Sequence, residues 1–510
     1  MRRTGAAVGR LATDVVLPAG DGPFPAVLIR TPYDRTRHLP EARGWARHGF
    51  AAVVQDVRGR FGSAGSAGSA RPAGSAGERQ AGEWRPYAHE LTDGTRTSRW
   101  IRRQPWSDGR IVAAGASYAA HCALVLALDA PRDARPDAVL VAVPALGAAE
   151  TAREPSGVER LSARAGWWAA HGDRPDSDGT ALAAALAADP GLLTHLPLVT
   201  LPERLGRELP SWPALWRERD RGRPVTRAAG ATTPLLAVGG LHDHFADDTA
   251  ALWHAWGGPS ARLLTGPWGH GLTAEPGPGA GPAHRVNLGE LYVRWARRAL
   301  AGDLAPGRRG ALALGGADRW LPATTEGAPY TPELILLRGS AFTADPGHPV
   351  RSDDLAVPRE GPVDRCLFAT RPLPSTLDVV GPARVRLRGT ADTPSADWAA
   401  RLVALLPDGN AERLAVGIVR RDQPPGVETG FTVELGRLAR RLPAGTRLRL
   451  EIAGHHFPAH ARNPHTGEDP VTAVRLTGSR REIVPAGVRL DLCVLPSPPA
   501  PVDPAMEVLR

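Results

Sequence analysis

Three residue types in a fixed order draw attention first: a serine on a tight turn, then an aspartate, then a histidine. Ser117 sits in Gly115-Ala116-Ser117-Tyr118, between the apolar run Ile111 to Ala114 and the alanine- and leucine-rich run Ala119 to Ala130. That pattern predicts a buried strand, a sharp turn and a helix, with the serine Oγ thrust out at the sheet's edge as in a nucleophile elbow. A plainer reading of the same stretch is a serine capping a core helix. A nucleophilic serine needs a base within hydrogen-bond reach and a carboxylate to orient that base. Two later runs end in glycine-rich loops that supply both. Pro234 to Val238 leads into Gly239-Gly240-Leu241-His242-Asp243-His244-Phe245, and Arg262 to Thr265 leads into Gly266-Pro267-Trp268-Gly269-His270-Gly271. Asp243 and His270 thus fall in the order Ser, Asp, His. His242 and His244 compete with His270 as base. They flank Asp243 too closely to face both it and the serine, which makes them loop histidines. A metal site on His242, Asp243 and His244 is a further reading, but no additional ligands are indicated.

An attacked carbonyl also needs oxyanion donors. The Tyr118 backbone N–H, just after the serine, is one. The other is expected from the loop Arg30-Thr31-Pro32-Tyr33-Asp34-Arg35, which follows the run Ala26 to Ile29. The Tyr33 phenol is the candidate donor there, with a packing tyrosine as the alternative.

The elements that must hold these residues divide the chain into four stretches. Over 1–143, short apolar runs (Ala26 to Ile29, Ala51 to Gln55, Ile111 to Ala114, Ala138 to Val143) alternate with helical patterns, as in a parallel sheet. A Gly/Ser/Ala-rich stretch, Gly62 to Gly82, reads as a flexible surface loop. Residues 144–228 are helical and rich in tryptophan (Ala148 to Ala170, Gly179 to Ala188, Ser211 to Asp220), the form of an inserted cap. The sheet pattern resumes over 229–304 and closes with the helix Leu288 to Leu300. Over 305–510 the period becomes two, with Gly/Pro turns and no long helix, which predicts an all-β jelly-roll sandwich. The expected fold is an α/β-hydrolase core with a helical cap and a C-terminal β domain.

Composition narrows the function. The 510 residues are 42% hydrophobic and 23% charged, ordinary for a globular protein. The net charge is +9, and every basic residue among the 62 is arginine. These arginines are interleaved with Asp and Glu, and no nucleic-acid-binding motif accompanies them, so no nucleic-acid partner is expected. The three cysteines, Cys122, Cys366 and Cys493, are far apart and fit neither a zinc spacing nor a disulfide framework. The N-terminus lacks a signal-peptide apolar core, and no run approaches the roughly 18 apolar residues of a membrane span. A soluble cytoplasmic protein, without membrane partner and able to form a homodimer, is the expectation.

Beyond the serine turn, the chain resembles the CocE/NonD hydrolases of the X-prolyl dipeptidyl-peptidase (S15) group, which takes in cocaine esterase and the α-amino-acid ester hydrolases. Phe24-Pro25 with Arg30 to Asp34, Val54 to Arg60, Glu90 with Asp93-Gly94, Gln104 to Arg110, Gly115 to Tyr118 and Gly266 to His270 carry the resemblance. In the C-terminal part, Val380 to Ala383, Leu406 to Gly409, Phe457-Pro458 and Arg462 to Gly467 do the same. The resemblance implies Ser117 as nucleophile, Asp243 as acid, His270 as base, Tyr33 and the Tyr118 amide as oxyanion hole, and no cofactor or metal. It also implies an esterase- or dipeptidyl-peptidase-like hydrolase acting on a small acyl substrate. There are departures. Ala120 occupies the last position of the family's Gly-x-Ser-Tyr-x-Gly, and Ala119 the last position of the general Gly-x-Ser-x-Gly elbow. Phe245 and Ala246 stand where α-amino-acid ester hydrolases carry acidic residues for the substrate ammonium, with Asp247 and Asp248 just beyond. The extra N-terminal domain of X-prolyl dipeptidyl-peptidases has no counterpart, which argues against strict dipeptidase specificity. An acyltransferase or cyclase using the same acyl-enzyme is the alternative; a catalytically inactive binding protein is a third, which the intact triad argues against.

Overall fold

A computed structural model describes residues 1–64, 84–358, 360–497 and 499–510. The Gly/Ser/Ala-rich stretch read as a surface loop lies, from residue 65 on, outside the described residues.

The apolar runs of the first half fold as strands β1 (Arg2–Val8), β2 (Leu11–Leu17), β3 (Phe24–Thr31), β4 (Ala51–Asp56), β5 (Ser107–Ala116), β6 (Ala138–Ala142), β7 (Leu235–Gly240) and β8 (Ser260–Gly266). From β4 to β8 the order is β4-β3-β5-β6-β7-β8, all parallel. Parallel strands covered by helices on both faces are apolar throughout rather than alternating. Accordingly β4, β6 and β7 are buried at every residue. Helices α1 (Leu39–Arg47), α2 (Glu90–Arg102) and α3 (Tyr118–Asp129) pack against this sheet. Helix α1 does so through Leu39, Ala42, Trp45 and Ala46, the apolar stripe of an amphipathic helix. The hairpin of β1 and β2 extends the sheet antiparallel to β4.

At the other edge the sheet continues past the expected boundary at 304. The strand Gly307–Leu314 pairs parallel to β8, and Arg319–Pro322 pairs antiparallel to it in turn. A two-residue period identifies a strand but not its sheet; Ala311, Leu312, Ala313 and Leu314 are all buried, as in the strands they join. The chain end also returns here. Helix Pro504–Leu509 places Val508 and Leu509 in the core beneath the sheet, so the 305–510 stretch begins and ends on the hydrolase part.

The cap starts with α4 (Ala148–Ala152) and α5 (Ser162–His171). The single helix expected over 148–170 is thus broken, at a turn through Pro155 and Gly157, whose φ is +87°. Leu161, Trp168, Leu201, Trp212 and Trp216 form the cap's core, closed by Phe457, Ala461 and Val471 from the β domain. That domain stacks two antiparallel sheets around Phe368, Val385, Trp398, Leu402, Leu450 and Leu490. Among the described residues no helix is long and apolar enough to cross a membrane.

Candidate active site

Ser117 occupies the turn between β5 and α3 with φ 55° and ψ −120°, a conformation a non-glycine residue adopts only under constraint. Its N–H donates to Ala142 O at 2.9 Å, pinning the turn to β6. Gly115 is required by close approach, since a Cβ there would lie 2.4 Å from the Ala119 carbonyl carbon and 2.5 Å from its oxygen. Alanine at 119 is therefore accommodated because the glycine before the serine absorbs the crowding. Gly240 does the same for the acid and base loops. A Cβ at 240 would lie 2.2 Å from Trp268 O. The loops are stitched by Leu241 N–H to Gly266 O and His242 N–H to Trp268 O, both at 2.9 Å.

That crossing brings the three side chains together. His270 Nδ1 lies 2.9 Å from Asp243 Oδ1, and its Nε2 lies 3.0 Å from Ser117 Oγ. With the proton on Nδ1, the ring donates to the buried carboxylate and accepts from the serine hydroxyl. The other two histidines do not bridge. His242 turns away, its Nε2 3.2 Å from Pro278 O. His244 puts Nδ1 3.2 Å from the same Asp243 oxygen and stacks on His270 at 4.9 Å between ring centres. Loss of hydration in the packed site lowers its pKa to about 3, against the pull of Asp243 and although its side chain stays 36% exposed, so it is a neutral neighbour of His270. The metal grouping read from the sequence changes membership. The atoms within 4.8 Å of one another belong to Asp243, His244 and His270, not His242, and two of these residues are already paired in the serine-directed chain.

Tyr33 OH lies 3.5 Å from Ser117 Oγ. The Trp167 indole N–H donates to the phenol oxygen at 3.0 Å, and the Tyr118 amide also points at it. Those donors lie on the phenol oxygen, and across the 3.5 Å to Ser117 Oγ either hydroxyl can donate. Burial raises the Tyr33 pKa, with those hydrogen bonds opposing, so it stays a donor at neutral pH. The Tyr118 side chain is a support. Its hydroxyl is bonded to the buried Glu90 carboxylate and accepts the Tyr87 N–H at 2.6 Å. Its ring stacks on Trp167 at 5.7 Å and 13°.

From the sequence, Trp167 stands out only as part of a tryptophan-rich helix, and Tyr87 not at all. Neither position carries a motif; Trp167 reaches the site on α5, and Tyr87 reaches it from the segment before α2 by packing on the Tyr118 and His121 rings. Phe245 is buried with its ring edge-on to His270 at 5.7 Å. The acids just beyond it are engaged elsewhere. Asp247 accepts the Arg437 N–H at 3.3 Å, and Asp248 pairs with Arg221 at 2.9 Å.

The sequence profile described as X-Pro dipeptidyl-peptidase (S15 family) matches residues 8–272, and that of the X-Pro dipeptidyl-peptidase C-terminal non-catalytic domain matches residues 284–485. The chain is 27% identical to the cocaine esterase of Rhodococcus sp. (strain MB1 Bresler), covering 90% of each protein. Its fold is similar to that of an aminopeptidase from a marine sediment Thaumarchaeota archaeon (TM-score 0.74, 18% identity, 97% and 96% of the two chains). It is similar also to an α-amino acid ester hydrolase (TM-score 0.73, 16% identity, the same coverage). A CocE/NonD family hydrolase from Staphylococcus aureus aligns with a TM-score of 0.58 at 14% identity, over 97% of this chain and 93% of that one. The chain belongs to the X-Pro dipeptidyl-peptidase (S15) family and is a serine hydrolase built from an α/β catalytic part and an all-β C-terminal domain.

Proposed function

We propose that the protein cleaves an ester, thioester or amide of a small acyl substrate through a covalent acyl-enzyme on Ser117. His270 Nε2 takes the serine proton as Oγ attacks the carbonyl carbon. The resulting oxyanion is held by the Tyr33 hydroxyl and the Tyr118 amide. The tetrahedral species collapses as His270 returns the proton to the leaving oxygen, sulfur or nitrogen. Water then attacks the acyl-enzyme with His270 again as base, releasing the acid and freeing Ser117. Asp243 holds the imidazole in the required tautomer and stabilises the imidazolium. The observation that carries this reading is His270 lying within hydrogen-bond distance of Asp243 through one nitrogen and of Ser117 through the other. The esterase relative supports esters as the first substrates to try.

The test is a fluorophosphonate probe and a panel of p-nitrophenyl esters on wild-type and Ser117→Ala protein. Wild type is expected to be labelled on Ser117 and to release acid. Ser117→Ala should lose both by orders of magnitude while melting at the wild-type temperature. Near-wild-type turnover by folded Ser117→Ala protein would overturn the reading.

A further inference from the structure

Ten arginines are buried among the described residues. Nine donate at least one hydrogen bond within the protein. The tenth, Arg164, is 5% exposed and donates none among the described residues. Its Nε is sealed from solvent without a partner, while its terminal nitrogens, equally unpartnered, are not sealed. A buried guanidinium without an acceptor is costly, and the other nine buried arginines among the described residues avoid it.

Its place explains where an acceptor would come from. Arg164 lies on α5 three residues before Trp167 and seven before His171, hence on the same helix face. Trp167 donates to Tyr33, and the His171 ring meets Tyr33 at 5.0 Å. That face therefore looks onto the tyrosine beside Ser117. The Arg164 charge acts on Tyr33 and Tyr87, which pack in one cluster with Tyr118 and Trp167, and on His244, which stacks on His270. Among the described residues, the groups acting on Arg164 in return are the Tyr87 phenol, Arg160 and the Tyr33 phenol, with no carboxylate. Arg160, just before α5, is the internal contrast. Glu154 accepts from its Nε and Nη2 at 2.8 Å each. The fold pairs one cleft arginine and leaves the next one open.

We propose that Arg164 is the receptor for a carboxylate carried by the substrate close to its scissile bond, so that the preferred substrates are anionic acyl esters or amides. A guanidinium presents paired N–H groups that match a carboxylate. The same charge, with the nearby acids already engaged, disfavours a substrate bearing a free ammonium. The inference rests on the acyl-enzyme reading above for where the scissile bond lies.

Three matched p-nitrophenyl esters test it: the hemiglutarate, the pentanoate and the 5-aminopentanoate, which are anionic, neutral and cationic. A second pair, 4-acetoxybenzoate and its methyl ester, places the charge on the leaving side. In at least one pair the anionic member is expected to be favoured by about 10- to 100-fold in kcat/KM, mostly through KM. The cationic ester should be the poorest. Arg164→Gln should bring the anionic-to-neutral ratio to about one, and Arg164→Lys should keep part of it. No preference in either pair, or one that survives Arg164→Gln, overturns the proposal while hydrolysis at Ser117 stands. Were no ester cleaved and Ser117 not labelled, the hydrolase reading would fall instead. Binding of the same esters to Ser117→Ala protein, with and without Arg164→Gln, then decides the Arg164 proposal on its own.

Discussion

Along the edge of the sheet, Ser117, Asp243 and His270 each ride on a strand-to-loop turn whose backbone is fixed by a glycine or a cross-loop hydrogen bond, and the His270 ring links the other two side chains. Above them, the cap presents long side chains: Trp167 on the Tyr33 phenol, Arg160 in the grip of Glu154, Arg164 with no acceptor among the described residues. The sheet edge is held by backbone, the cap side by charge and packing. A reaction common to many substrates needs the first kind of precision. Choice among substrates can be left to the second, where exchanging one side chain changes the charge over the cleft without moving the nucleophile.

The comparison is broken most directly at the two histidines that share Asp243. If position on the edge decides the role, His270→Ala should lower kcat by at least about 10⁴-fold, as expected for the base of a triad. His244→Ala should cost about tenfold or less, through looser packing of His270. Steady-state kinetics on both variants against one neutral ester checks this. Equal losses would mean that the base role is not confined to His270.

A second cut falls where the two regions touch. Tyr33→Phe removes the hydroxyl and leaves the ring among its aromatic neighbours. We expect kcat to fall by about 10²- to 10³-fold with little change in KM, as for loss of one oxyanion donor. The melting temperature should move little, although the Trp167 N–H loses its acceptor. An unchanged kcat would make Tyr33 a packing residue, the reading its sequence position also allowed.

The same division decides what could be read from the sequence. The turn at Ser117 is legible because strand, glycine and helix are adjacent in the chain. The loops of Asp243 and His270 are legible because each follows directly on an apolar strand. The α/β core was visible as continuous buried runs. Three features were not. The strand Gly307–Leu314 looks locally like any other, and only its pairing with β8 assigns it to the hydrolase sheet. Arg164 is one arginine among many until the absence of an acceptor becomes visible in three dimensions. His460, which binds Glu154 from 306 residues away, leaves no local trace either.

The last prediction sharpens the account of the cap side by testing a charge that is paired. Glu154 accepts from Arg160 at 2.8 Å through each oxygen and lies 3.0 Å from His460 Nε2 through Oε1, tying the cap to the β domain. Burial alone would raise its pKa, but Arg160 and His460 outweigh that and hold it far below the ordinary glutamate range. Glu154→Gln keeps the shape and removes the charge, leaving Arg160 buried without its counterion. Removing one partner of such a pair costs about 3 kcal/mol, which urea denaturation near pH 7 would read. The sign with pH follows from the lowered pKa. The unfolded chain takes up this proton near pH 4.3 while the folded protein resists it. Wild-type stability from the pair is therefore complete above that pH and is lost as the pH falls below it. The gap between wild type and Glu154→Gln should accordingly be widest near neutrality and close progressively below about pH 4. A gap independent of pH would mean that the glutamine costs stability by its packing and not through the lost charge.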